Sequence, residues 1–242
     1  MRRPRQNALL KLSLAATLPC VSVAANFNAR GQAATRARAE SSPRETQPKI
    51  VPIKDARALP PGTVVTVEGV VTTPPGAFKS STEDEGFAVE DASGAGVYVR
   101  TSLRTILGVG RHVRVMGRLD ESNGKLVIVP SDERGIEPRG RMVSDVRPQK
   151  FSTREIGEAT EGRLVRVAGV VSKPVQPDAP YGFRFFVDDG TGEVQIFVSA
   201  STKIPQAGLR PGRRVAVTGF SGQYKDHYEV EPRFAADISF RR

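Results

Sequence analysis

The 242-residue chain has no tryptophan, one cysteine and two histidines. One cysteine excludes an intrachain disulfide framework, and one cysteine with two histidines is too few for a closed zinc site. Aromatic residues make up only 6%. No phosphate-cradling Gly-rich loop, no H-E-x-x-H and no G-x-S-x-G is present. His112 and His227 fall in segments that read as strands, outside any nucleophile or metal motif. The chain is therefore expected to be non-catalytic, with no metal and no cofactor. No apolar run reaches the length of a good membrane span.

Acidic residues are missing from the head of the chain: the first is Glu40. The formal net charge is +10, but residues 1–60 alone carry +8, residues 61–142 carry −1 and residues 143–242 carry +3. The excess is thus a property of the first quarter and says little about the folded part. That quarter has a recognisable order. Arg2, Arg3, Arg5 and Lys11 precede Leu12–Ala25, which is apolar or small throughout. Positive, then apolar, then small is the order of a secretory signal peptide. Residues 1–25 are expected to be removed and the protein to be secreted or periplasmic. An organelle transit peptide, Arg-rich and acid-free, is the rival reading. Residues 26–58 read as a polar, proline-punctuated, disordered linker.

The remainder contains two copies of one unit, over residues 59–142 and 161–242. Val67-Glu68-Gly69-Val70-Val71 matches Val167-Ala168-Gly169-Val170-Val171, and Phe87-Ala88-Val89-Glu90-Asp91 matches Phe185-Phe186-Val187-Asp188-Asp189. Gly110 to Gly117 matches Gly212 to Gly219, Pro130 matches Pro232, and Ile136 matches Ile238. Five anchors in one order, with offset changes falling in loops, mark an internal repeat. Each unit reads as five short strands, with the longer connection between the third and fourth. In the first unit these are Val65–Val71, Phe87–Asp91, Val97–Arg100, Val113–Val115 and Leu126–Val129. In the second they are Leu164–Val171, Phe183–Asp188, Val194–Val198, Val215–Phe220 and His227–Glu231. The expected fold class is all-β, two tandem five-stranded OB-fold barrels. Residues 143–160 join them, with a short helical segment at Ser152–Thr160 opened by the Ser152/Glu155 capping spacing.

The pattern V-x-G-V-V, then F-x-V-x-D-x-x-G, V-x-V and G-x-x-V-x-V-x-G resembles the nucleic-acid-binding OB domains of secreted bacterial nucleases. Nothing in the chain matches the catalytic modules that accompany those domains, so the resemblance implies a binding part. Strand alternation then sorts the side chains. Phe87, Val89, Val97 and Val99 should face into the first barrel, leaving Ala88, Glu90, Tyr98 and Arg100 outside. Arg184, Phe186, Gln195 and Phe197 should lie on the outer face of strands two and three of the second barrel. Tyr181 should flank them in the first loop, and Tyr224, Lys225 and His227 in the last.

Rings beside cations suit single-stranded DNA or RNA, since bases stack on rings while cations track phosphates. The first unit offers Tyr98 and Arg100 but also Glu83, Asp84, Glu85, Glu90, Asp120 and Glu121, a poor setting for a polyanion. The second unit is therefore the expected contact domain. Two alternatives stay open: Phe186 and Phe197 would serve equally to pack the sheet against unit one or a terminal segment, and, as a reading of another class, the protein would be a structural or adaptor protein of the cell envelope that contacts protein or glycan. Asp91 and Asp189, each before a Gly-containing turn, read as turn caps rather than catalytic acids.

Overall fold

The computed structural model describes residues 49–82 and 85–240. The expected signal peptide and most of the expected linker lie outside the described residues, as do Glu83 and Asp84.

The first barrel begins earlier than its strands suggest. Helix α1 (Ile53–Arg57) buries Ile53 and Ala56 in the barrel core. Ile50 bridges to Thr66, and the Ile53 N–H donates to Asp91 Oδ2 at 2.7 Å. Residues 49–58, expected as the end of a disordered linker, are thus a plug on the barrel floor. The reason is local: Ile53 and Ala56 are three apart, on one face of a single helical turn, and Asp91 holds the end of that turn.

The first barrel comprises β1 (Val64–Thr73), helix α2 (Lys79–Thr82), β2 (Phe87–Glu90), β3 (Gly96–Val99), β4 (His112–Ser122), β5 (Lys125–Val129) and β6 (Ile136–Arg139). Strand β7 (Gln149–Lys150) leads into the second barrel, which comprises β8 (Leu164–Val171), β9 (Gln176–Asp178), β10 (Gly182–Asp188), β11 (Glu193–Ser199), β12 (Arg214–Tyr224), β13 (His227–Glu231) and β14 (Ile238–Phe240). The first sheet runs β1-β2-β3-β5-β4 and closes by β4 pairing β1; the second runs β8-β10-β11-β13-β12 and closes by β12 pairing β8. Within each closed ring of five, one pair is parallel, β3 with β5 and β11 with β13, and β7 adds to β8 in parallel outside the second ring. Two closed five-stranded barrels with this strand order are OB folds. Among the described residues no helix is long and apolar enough to cross a membrane.

Alternation places the cores as expected. Phe87, Val89, Val97, Val99, Val113 and Val115 fill the first barrel. Phe185, Val187, Val194, Ile196, Val198, Val215 and Val217 fill the second. Gly69 and Gly169 sit where β1 and β8 pass closest to the next strand: a Cβ would lie 2.6 Å from the Glu90 carbonyl oxygen in one and 2.4 Å from that of Asp188 in the other. The Ser152–Thr160 segment forms two 3-10 turns, Thr153–Glu155 and Glu158–Thr160, and the Ser152/Glu155 capping box is present. Asp189 accepts from Thr153 N (3.1 Å) and Thr153 Oγ1 (2.7 Å). It holds its barrel's entry turn as Asp91 holds α1. Hydrogen bonds, that from the Thr191 hydroxyl foremost, hold the Asp189 carboxyl down at about 2.

The two barrels share a small core of their own. Phe78, Ala88, Tyr98 and Val127 of the first enclose Phe220 of the second. Ring centroids are 5.6 Å apart for Tyr98 and Phe220 and 6.0 Å for Phe78 and Phe220. Polar bonds surround this contact. Glu90 accepts from the Leu164 N–H, and burial pushes its carboxyl up to about 7. Glu161 accepts from Leu126 N at 3.2 Å and from Arg57 at 3.1 Å. Arg233 donates to the Thr72 carbonyl while pairing with Asp237. At the Gly96–Gly162 crossing the backbones approach so closely that a Cβ on either would meet the other's carbonyl.

Tyr98 is thereby corrected. It faces outward from its own barrel, as alternation requires, but it is 1% exposed because barrel two covers it. It has no surface left for a ligand. Phe220, which faces away from its own barrel's core, performs the packing that Phe186 and Phe197 were candidates for.

Candidate ligand groove on the second barrel

Strands β10 and β11 pair in register, with Arg184 opposite Phe197 and Phe186 opposite Gln195. Their outer face opens on a groove of about 550 Å³, within the size range of small-ligand sites. Gln195 and Phe197 line its floor, with Arg184, Asp178 and Tyr181 on the β9 side and Gln223, Tyr224, His227, Glu229 and Glu231 from the β12–β13 hairpin on the other. These are the positions an OB barrel uses for ligands: strands two and three, flanked by the first and last loops.

The fourth wall comes from barrel one. Ser81 and Thr82 at the end of α2, and Ser122, Asn123 and Lys125 of the β4–β5 hairpin, also line the groove. Hydrogen bonds between the barrels hold this wall in place. The Lys225 N–H donates to the Asn123 carbonyl at 2.6 Å, joining the two hairpin turns. Ser80 bonds the Ser199 hydroxyl and the Tyr181 carbonyl, tying α2 to barrel two.

The sequence-expected residues divide. Arg184, Gln195, Phe197, Tyr181 and Tyr224 converge on the groove. Tyr181 and Tyr224 are 44% and 42% exposed, the Tyr224 ring packing against that of His227; Phe197, at 7%, is a floor residue. Arg184 Nε donates to Gln176 Oε1 at 3.1 Å, which orients the guanidinium without neutralising it. Lys225 lies in the turn with Nζ 5.2 Å from the Tyr224 ring centroid, behind the platform rather than in the groove. Phe186 is a correction: it lies outside the groove lining, half-buried, with Lys173 Nζ 4.4 Å from its ring. Arg100 is another. It pairs with Asp120 at 2.6 Å and lines a separate shallow depression with Thr101, Leu103 and Pro130.

On the floor, Gln195 Nε2 donates to Glu229 Oε2 at 2.6 Å and lies 3.0 Å from His227 Nε2. The Glu229 carboxylate beside the ring, with Asp226 behind it, raises the His227 pKa. His227, expected from the sequence in the last loop beside the binding face, lines the groove and joins this polar network. Lys125, Glu229 and Glu231 were not singled out for the groove at all. Nothing local marks Lys125 as a ligand-side residue, because it reaches the groove only when the barrels dock. Among the described residues, no group of three or more His, Cys, Asp or Glu side chains is placed to hold a metal ion.

No family model matches the chain, and no curated protein does. Solved structures similar to it include the tetrameric p202 HIN2 domain, at 12% identity over 75% of this chain and 95% of that one, TM-score 0.37. The p204 HINb domain is 13% identical over 72% and 94%, TM-score 0.35. The OB domain of MM0293 from Methanosarcina mazei is 17% identical over 40% and 84%, TM-score 0.32. These are distant neighbours, and the fold assignment rests on the strand order rather than on them.

Proposed function

We propose that this is a non-catalytic, exported binding protein that takes a short segment of single-stranded nucleic acid in the groove of barrel two. The observation that carries the reading is the pairing of two half-exposed rings, Tyr181 and Tyr224, with a floor of amide and carboxylate groups. In such a groove bases enter and phosphates face out. The rings stack on bases, at about 1–3 kcal/mol each; Gln195, Gln223 and the carboxylates meet base edges; Arg184 reaches a phosphate. The resemblance of the strand motifs to the OB domains of secreted nucleases supports the reading, and the signal-like head of the chain supports export.

One feature of the lining favours a second reading, a neutral glycan. Lys125 and Arg184 are set against Asp178, Glu229 and Glu231, so the groove has no cationic excess to attract a polyanion. Salt separates the two. Binding of a labelled single strand should weaken as salt rises, with a shallow slope reflecting one or two phosphates. No detectable binding of DNA or RNA at low salt refutes the nucleic-acid reading, and saturable, salt-independent binding of an oligosaccharide would install the second.

A further inference from the structure

The innermost wall of the groove is built from a buried charge pair contributed by different barrels. Lys125, the first residue of β5, follows the tight turn at Asn123–Gly124. Its side chain is 8% exposed, and its Nζ lies 4.0 Å from Glu231 Oε1, whose side chain is 5% exposed. The ammonium also sits 4.5 Å from the Tyr98 ring centroid and 5.2 Å from that of Phe220. Burying an ammonium is costly unless it is paired. Here the shared core fixes the cation and Glu231 compensates it, so its position is set before any ligand arrives. Both side chains line the groove.

We infer that this pair reads one base, and that the base is guanine. The inference rests on the nucleic-acid reading above. A guanine edge presents the O6 acceptor next to two donors, N1–H and the exocyclic amine. Lys125 supplies only donors and a carboxylate only acceptors. Side by side they match that edge: the ammonium to O6, the Glu231 carboxylate to N1–H and the amine. A carboxylate has about four acceptor positions, so it can take two donors from a base beside the contacts it makes within the protein. Adenine reverses the pattern and places its amine against the ammonium. Cytosine offers no ring N–H to the carboxylate. Thymine and uracil offer one donor where guanine offers two. Barrel one, which composition marks as hostile to a polyanion, is on this inference the source of base selectivity for a site on barrel two.

The test is fluorescence anisotropy with the full chain and labelled oligothymidylates carrying one central dG, dA or dC. The dG strand should bind about tenfold tighter or more than the others, the order expected of a good two-point base contact. Inosine at that position, which lacks the exocyclic amine, should lose part of the advantage; O6-methylguanine, which lacks N1–H, should lose all of it. Lys125→Met should remove the advantage of dG and bring the dG, dA and dC strands to equal affinity. Should that variant fail to fold, by loss of its cooperative unfolding transition in far-ultraviolet dichroism, the inosine and O6-methylguanine comparisons on the unaltered protein decide. Equal affinity for every base overturns the guanine inference and leaves the nucleic-acid reading standing. No binding of any strand at low salt overturns that reading itself.

Discussion

Replacing Phe220 with alanine should break the contact that makes two barrels one unit. The Phe220 ring is fully buried, yet it belongs to the core of neither barrel. It contacts Phe78 and Tyr98 across the boundary. A buried aromatic removes about 150–250 Å² from water, worth about 4–6 kcal/mol at ~25 cal/mol per Å². Measured Phe→Ala losses run about 3–5 kcal/mol because the site partly relaxes, so about 4 kcal/mol is the expected cost. The loss falls on the coupling between barrels and not on either interior. Urea unfolding should therefore change in shape. The unaltered protein should give one transition in far-ultraviolet dichroism and the same midpoint in the tyrosine signal. The variant should give two, with the signal of Tyr98 weakened before any strand melts. A cost under about 1 kcal/mol, with one unchanged transition, would refute the shared core.

Three further outcomes follow from the polar groups. Glu90 has its pKa raised from 4.5 to about 7 by burial, so the folded state holds the proton more tightly and stability should fall as pH rises from 4.5 through 7. Glu90→Gln should flatten that decline and be more stable above pH 7 by about 3 kcal/mol, with no difference near pH 4; chemical denaturation across pH measures it. Asp189 is the opposite case. Its pKa is lowered from 3.8 to about 2, so its contribution is present above pH 3.8 and lost as pH falls through 2. Asp189→Ala should cost about 1–2 kcal/mol at neutral pH, and the gap should close in acid; thermal melts at pH 7 and pH 2 compare the two. In ligand binding, Tyr181→Ala and Tyr224→Ala should each weaken a single strand by about 1–3 kcal/mol with the salt slope unchanged. Arg184→Ala should instead reduce the slope by about one phosphate, and Phe186→Ala should alter neither.

Much of the molecule is legible in the chain alone. Ten strand segments, their inward residues, the matched glycines Gly69 and Gly169 and the capping roles of Asp91 and Asp189 all follow from local pattern. A strand alternates with a period of two, and a turn needs its Asp and Gly close in sequence. In the groove, Arg184, Gln195 and Phe197 follow from the same alternation once the strands are placed, and Tyr181 and Tyr224 from the loops that flank strands two and three of such a barrel. Alternation tells which side of a strand faces the barrel axis and is silent on what covers the other side. Tyr98, Phe186 and Phe220 are all outward-facing rings, and nothing in their local sequence separates the one that remains half-exposed from the two that meet between barrels. That outcome depends on the shape of two finished barrels, on Gly96 and Gly162 admitting a close crossing, and on Glu90 and Glu161 finding backbone donors in the opposite barrel. The same docking carries Lys125 from a barrel that composition marks as hostile to ligand into the wall of the groove. Residues 125 and 231 lie 106 apart in the chain, and only packing brings them within 4.0 Å.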